Sequence, residues 1–355
     1  MKYIYINKVN LFDWIRIYAS TQVLIQHGAR YLNYTLPAGI DYFFKFHGVP
    51  IFFAISGFLV AISWVNSSFD INKYLVSRSL RIFPALWCST ILSFLLISSL
   101  GKIKFAISLK GLLWFFCQST FFPFWNPSEL RDFGIGVLNG SLWTIPVELQ
   151  FYFLIPIIFI AYIYLKNKTG NYIWFLLLGI IIVLSILSQV LIPPVPPGDG
   201  SIPREGPLWI KLFYVSIFPY LSQFLMGTIL ILPYIYLGQK KSSAIFLGIG
   251  ILMFIAGNNI SPNSLIYNFA SPVCIALIVI GIGLFPSPLR LPFDISYGLY
   301  LYHGLVINLL TVTTNYNNIS TLILYLSITT FLAFLSWYII ESRALKLKSY
   351  FLSRI

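Results

Sequence analysis

Leu11-Phe12-Asp13-Trp14-Ile15-Arg16-Ile17-Tyr18-Ala19-Ser20-Thr21-Gln22-Val23-Leu24-Ile25-Gln26-His27-Gly28 is the first apolar stretch of the chain. It is long and apolar enough to cross a bilayer, yet it carries a guanidinium and an imidazole. Ionisable groups inside a span are costly and mark functional sites with partners. Arg16 and His27 are eleven residues apart, which returns a helix to within roughly 20° of the same face after a rise of about 16 Å. Both side chains are therefore expected on one side of one helix, at two depths of the membrane.

The rest of the chain agrees with a membrane setting. Of 355 residues, 58% are hydrophobic, 18% aromatic and 9% charged, whereas a soluble domain carries about 25% charged residues. A polytopic, all-α membrane protein is expected, with residues 1–355 forming a single membrane domain and no appended soluble domain. A secretory signal peptide does not fit residues 1–30: the apolar region is too long, Arg16 interrupts it, and no small-x-small cleavage site follows.

Hydropathy suggests about ten transmembrane helices, near 11–32, 46–66, 83–100, 141–165, 172–192, 211–236, 243–257, 267–286, 295–314 and 319–341. Residues 105–124, broken by Lys110, Gln118 and Pro123, read as an embedded or interfacial segment. Placing both termini in the cytoplasm collects Lys2, Lys8, Lys73, Arg78, Arg81, Lys166, Lys168, Lys240, Lys241, Arg290, Arg343, Lys346, Lys348 and Arg354 inside. Arg30, Lys45, Lys102, Lys104, Lys110, Arg131, Arg204 and Lys211 fall outside, on longer loops. That asymmetry follows the positive-inside rule, and counting 105–124 as a span would spoil it. The net charge of +13 is therefore mostly topology. No clustered basic face suggests nucleic acid. Cys88, Cys117 and Cys274 have neither metal-ligand spacing nor a disulfide framework, so no metal is expected. Two longer polar excursions fall outside: residues 125–140, and the Pro- and Gly-rich run from Pro193 to Pro207, expected to be a semi-rigid loop without helix.

Several constellations can carry chemistry. Asp13 precedes Arg16 by one turn and can pair with it. That pair either locks the inner end of the first helix, or leaves Arg16 to bind an anion or polarise a carbonyl. His27 is either a general base or a buried hydrogen-bonding histidine. Arg78 and Arg81, in Arg78-Ser79-Leu80-Arg81-Ile82-Phe83-Pro84, can receive phosphates bidentately or simply reflect topology and lipid headgroups. Glu148, about two turns into a span entered from outside, is expected at a depth similar to His27 and could orient it. Ser296-Tyr297-Gly298-Leu299-Tyr300-Leu301-Tyr302-His303 makes a polar-tipped stripe, read mainly as helix packing and hydrogen bonding, with a catalytic His303 as the alternative. Trp143 could stack on a sugar or belong to an aromatic belt. His47 is expected at an interface, and Ser56-Gly57 suits close backbone approach.

Together these segments resemble the acyltransferase-3 family of integral membrane acyltransferases, over about residues 11–341. Arg16 and His27 are similar to its Arg-x10-His signature, and Phe52-Phe53-Ala54-Ile55-Ser56-Gly57-Phe58 to its FFxxSGF segment. Arg78 to Pro84 resembles its RxxRIxP loop. Leu142-Trp143-Thr144 with Glu148 and Tyr152 looks like LWT-x3-E-x3-Y, and Ser296 to Tyr300 with His303 like SYGxYLxH. Each pattern is weak alone; five in order on one ten-span chain are specific. Pro50 stands where many members carry an acid, and Ser79 where a further arginine is common.

The resemblance implies a bacterial inner-membrane O-acyltransferase. Acetyl-CoA would be the cytoplasmic donor, and the acceptor a hydroxyl of an envelope glycan or lipid-linked oligosaccharide such as O-antigen, capsule or exopolysaccharide. Arg78 and Arg81 would hold the donor phosphates, and Arg16 the pantetheine arm or the thioester carbonyl. His27, supported by Glu148, would act as base, with Trp143, Tyr300 and His303 near the acceptor. The rival is a secondary transporter or flippase using the same buried Arg, His and Glu; the lack of an internal repeat or of paired broken helices argues against it.

Overall fold

The computed structural model describes residues 4–6, 10–40, 43–44, 46–169, 172–191, 207–261, 264–289, 291–314 and 318–352. The loop predicted from Pro193 lies outside these residues up to position 206, as do Lys2, Lys8, Lys45, Arg204, Arg290 and Arg354. Among the described residues all regular structure is helical: α1 (Phe12–Tyr31), α2 (Gly48–Asn66), α3 (Ile71–Ile97), α4 (Ile103–Ala106), α5 (Leu109–Gln118), α6 (Thr144–Thr169), α7 (Tyr172–Leu191), α8 (Leu208–Tyr214), α9 (Leu221–Ile229), α10 (Ile231–Gly257), α11 (Leu265–Gly283), α12 (Ser296–Thr313), α13 (Ile319–Ser336) and α14 (Ser342–Leu352).

Seven helical segments among these residues are long and apolar enough to cross a membrane: Gly48–Asn66, Ile71–Ala106, Gly140–Leu165, Leu208–Ile229, Ile231–Gly257, Leu265–Gly283 and Ile319–Phe351. The other three regions expected to span are helical as α1, α7 and α12. Between Lys104 and Phe124 the longest helix is α5, ten residues. At 1.5 Å per residue it reaches about 15 Å, half a hydrocarbon core. Leu109, Leu112, Leu113 and Phe116 are exposed on it, while Gly111, Trp114 and Gln118 are buried. Alone it is too short to cross that core.

One expectation is corrected. Arg78 to Pro84 is not a loop but part of the continuous helix α3, with Pro84 inside it. The helix starts early because the Asp70 carboxylate accepts from the backbone N–H of Asn72 (2.9 Å) and Lys73 (3.1 Å), an acidic N-cap. It ends in a π-turn, Ser98–Lys102, where Gly101 takes φ +92°, a conformation glycine adopts at little cost. The span expected over 211–236 corresponds to Leu208–Ile229, made of α8, a 3-10 turn at Phe218–Tyr220 and α9, with α10 starting at Ile231.

The chain forms two compact units: Met1–Ala19 with Phe46–Tyr74 and Val147–Pro292, and Ser20–Lys45 with Leu75–Pro146 and Phe293–Ile355. In the first unit α2 and α9 touch backbone to backbone. A Cβ on Gly57 would strike the Phe224 carbonyl, and one on Gly227 would strike that of Ala54. Thr228 donates its hydroxyl to the Gly57 carbonyl at 3.1 Å. Apolar burial alone gives no preference for helix over lipid, so small residues at a crossing supply the packing. Phe151 and Phe224 stack at 3.6 Å beside this crossing.

The second unit is built on α12, most of which is buried. Gly298 faces Ala333 of α13. Tyr325 of α13 lies over Gly28 and donates to the Leu24 carbonyl at 3.0 Å. The segment before α6 is stitched to α12 by amides. Asn308 donates to the carbonyls of Val137 (3.0 Å) and Leu138 (2.9 Å) and accepts from the Ile135 N–H (3.1 Å). Asn139 donates to the Leu301 carbonyl at 2.7 Å. These bonds deliver Ser141 to the middle of the unit.

Candidate functional site

His27 is carried by α1, the helix that also bears Arg16. The Gly28–Tyr325 contact and the Tyr325–Leu24 bond hold the His27 turn of α1 against α13. His303 lies on α12 and is 1% exposed; Ser141 lies in a short 3-10 turn, Gly140–Trp143, and is 5% exposed. The three side chains meet. His27 Nδ1 is 3.0 Å from His303 Nε2, Ser141 Oγ is 2.8 Å from His303 Nε2, and Ser141 Oγ is 3.2 Å from His27 Nδ1. The imidazole centroids are 5.1 Å apart. On its other side, His303 Nδ1 is 2.7 Å from the Tyr300 carbonyl. The Tyr300 hydroxyl donates to the Ser141 carbonyl and lies 2.7 Å from Thr144 Oγ1. A closed triangle of two imidazoles and a hydroxyl, anchored by a backbone carbonyl, is able to take up and hold one proton.

The other predicted residues are placed as follows. Arg16 belongs to the first unit and pairs with Asp13 at 3.0 Å, the one-turn pairing expected from sequence. Glu148 also belongs to the first unit, where it accepts from the Tyr152 hydroxyl at 2.6 Å. This bond joins the two ends of the Glu-x3-Tyr element across one helical turn. Trp143 is 5% exposed. His47 is an exposed N-cap of α2.

Arg78 and Arg81 lie one turn apart on α3. Arg81 pairs with Asp294 at 2.5 Å, with side-chain exposures of 24% and 8%. Asp294 also accepts from the Ser296 hydroxyl at 2.5 Å and from its N–H at 3.3 Å, so one carboxylate starts α12 and holds α3. Glu341 is buried in a π-turn, Trp337–Glu341, accepts from Ser336 at 2.9 Å, and interacts electrostatically with Arg81 and Asp294. Lys348 of α14 is within electrostatic reach of Arg78. Arg81, Asp294 and Glu341 thus form one polar cluster.

Ser141, Asp294, Glu341 and Lys348 were not singled out from sequence. For Asp294 a signal existed, an acid two residues before a serine at a helix start. Ser141, beside Asn139 and Gly140, and Glu341, followed by Ser342 and Arg343, stand in no spacing that marks chemistry, and only tertiary packing identifies them.

The chain matches the family model described as an acyltransferase domain over residues 9–341. It is 30% identical to "Nodulation protein 10" of Rhizobium leguminosarum bv. viciae, over 97% of this chain and 95% of that protein. It is 27% identical to an "O-acetyl transferase" of Shigella phage Sf6, over 96% and 97% of the two chains. To "Peptidoglycan O-acetyltransferase OatA" of Listeria monocytogenes it is 27% identical, over 93% of this chain and 54% of that one. No solved structure matches it.

Proposed function

We propose that this chain, which belongs to the acyltransferase-3 family, moves an acetyl group from cytoplasmic acetyl-CoA to a hydroxyl of a cell-envelope glycan. It is an acyltransferase for groups other than amino-acyl groups. The finer assignments are a multi-pass protein of the bacterial inner membrane with ten spans and both termini inside, and a glycan or lipid-linked oligosaccharide acceptor of the O-antigen, capsule or exopolysaccharide kind. The similarity to proteins named as O-acetyl transferases supports the acetyl group.

The observation that carries the reading is His27, hydrogen-bonded to His303 and Ser141 inside an apolar unit. His27 takes the proton of the acceptor hydroxyl as its oxygen attacks the thioester carbonyl. The new C–O bond forms, the C–S bond breaks, and coenzyme A leaves as the thiolate, which takes up the proton His27 removed and returns His27 to its neutral form. The donor end is assigned to Arg78 and Arg81 for the phosphates and to Arg16 for the pantetheine arm or carbonyl. The pairing of cations at Arg78 and Lys348 favours an anion there. Both Arg81 and Arg16 already hold carboxylates, so a donor phosphate or carbonyl would share their remaining N–H groups. Glu148 is assigned as the supporting acid, and Trp143 and Tyr300 to the acceptor side. Labelled acetyl-CoA supplied to reconstituted protein with envelope glycan tests the reading: acetylated glycan supports it, and no transfer overturns it.

A further inference from the structure

The hydrogen-bond roles in the His27–Ser141–His303 triangle are fixed by one atom that has no proton to give. The Tyr300 carbonyl only accepts, so His303 Nδ1, 2.7 Å away, is the N–H. His303 is 1% exposed, and its hydrogen-bond partners here are a carbonyl, a hydroxyl and an imidazole. An imidazolium in that surrounding would be an uncompensated buried charge, so the ring is neutral and Nε2 presents its lone pair. That lone pair faces His27 Nδ1 at 3.0 Å. Two lone pairs at this distance repel, so His27 Nδ1 carries a proton as well. Ser141 completes the set: its hydroxyl donates to His303 Nε2 at 2.8 Å and its oxygen accepts from His27 Nδ1 at 3.2 Å. Three heavy atoms share two protons with no clash. In an imidazole the hydrogen bond made by one nitrogen decides the state of the other, which leaves His27 Nε2 as the basic nitrogen.

From this geometry we infer that His303 is a positioning residue which, with Ser141, locks His27 in its Nδ1–H tautomer, so that Nε2 is the atom that takes the acceptor's proton. The inference rests on the transferase reading above and names the working atom within it. When Nε2 takes the proton, His27 becomes an imidazolium whose Nδ1–H already points at a neutral acceptor. The Tyr300 carbonyl cannot take a proton onward, so the charge stays on the two rings. Two cationic rings this close would repel strongly, so the pair holds one excess proton. This role replaces the one expected for His303 from sequence: it acts on His27 rather than on substrate.

The chain has three histidines, which makes the tautomer directly readable. Protein labelled with 15N-histidine, in nanodiscs at about pH 8 where an ordinary imidazole is neutral, gives three ring spin systems, assigned with His47→Asn and His303→Gln. The expected spectrum shows His27 with a protonated Nδ1 and an unprotonated Nε2. The same tautomer is expected in His303→Gln, where an amide oxygen supplies the acceptor, and its loss is expected in His303→Leu. In parallel, His303→Leu is expected to lower kcat about 100-fold with both KM values within about threefold, and His303→Gln to recover at least tenfold of that loss. A general folding defect would give neither the tautomer change nor this split. His27 protonated on Nε2 in the wild-type protein overturns the inference even if His303→Leu does not fold, and so does an unchanged tautomer in a folded His303→Leu protein. Wild-type protein that transfers acetyl but shows the Nε2–H tautomer sinks this inference alone. Protein with the Nδ1–H tautomer that transfers nothing sinks the transferase reading and, with it, the catalytic meaning of the tautomer.

Discussion

Asp294 holds Arg81 in a 2.5 Å ion pair while its other oxygen caps the start of α12 through Ser296. Arg81 is therefore both a candidate donor ligand and the counter-ion of a buried carboxylate. Removing one partner of such a pair leaves a buried charge uncompensated and costs about 3–5 kcal/mol. Arg81→Ala is expected to lower thermal stability in detergent by about 3 kcal/mol as well as to raise the donor KM. Arg81→Ala combined with Asp294→Ala is expected to regain part of the stability and none of the donor affinity. A double variant no more stable than the single one would count against the pairing as the source of the loss.

Ser141 contacts both imidazoles, but the direct His27–His303 contact does not pass through it. Ser141→Ala is therefore expected to loosen the pair without breaking it, lowering kcat about tenfold, within the range of a single hydrogen bond to a charged group. KM for both substrates should stay within about threefold. Steady-state kinetics on reconstituted protein checks this, and a complete loss of turnover in well-folded protein would give Ser141 a larger role than that of a bridge.

The α2–α9 crossing has no room for a methyl group on either glycine. Because the obstacles are backbone carbonyls of Phe224 and Ala54, rotamer changes cannot relieve them. Gly57→Ala or Gly227→Ala is expected to destabilise the protein by about 1–3 kcal/mol, read as a lower melting temperature in detergent. An unchanged melting temperature would show that the two helices separate at little cost.

The reach of sequence reading is visible in these particular residues. An all-helical membrane chain was legible because 9% charged residues and repeated apolar runs admit little else. The Asp13–Arg16 pair was legible because it is local, one turn apart. So was the close approach at Gly57, since a small residue inside an apolar run has few other uses. The partners of His27 were not: Ser141 is 114 residues away and His303 is 276. Nothing in spacing distinguishes a buried hydroxyl that reaches an imidazole from one that caps its own helix. The extension of a helix through Arg78 to Pro84 was missed for a related reason. A proline normally argues for a boundary, and here Asp70 starts the helix early enough that Pro84 falls in its interior.

Outside the spans, Asp132 and Glu129 tie the segment before α6 to the α3–α5 turn. The Lys102 ammonium hydrogen-bonds Asp132 and the Lys110 ammonium hydrogen-bonds Glu129, and each holds its carboxyl below the ordinary range. A carboxyl whose folded value is depressed contributes above its unfolded value, about 4 for these groups, and loses that contribution as pH falls through the folded value. Hydrogen-exchange protection of residues 128–133, corrected for intrinsic rates, is expected to be constant from about pH 7 to about pH 5. It should fall only below about pH 4, and salt should weaken it because both pairs are exposed. A Lys102→Met, Lys110→Met protein should show low protection throughout; equal protection in that variant would mean the ties do not order the segment.

His27 as the base of an acetyl transfer is tested by removing its imidazole. Wild-type protein and His27→Ala, reconstituted at matched levels in proteoliposomes, would be given acetyl-labelled acetyl-CoA and envelope glycan, and labelled glycan measured against time. Transfer by the wild type is expected, with a fall of at least about 100-fold in His27→Ala and the donor KM changed by less than about threefold. Labelled glycan forming at similar rates in both proteins, or in neither while glycan still crosses the membrane, would contradict it.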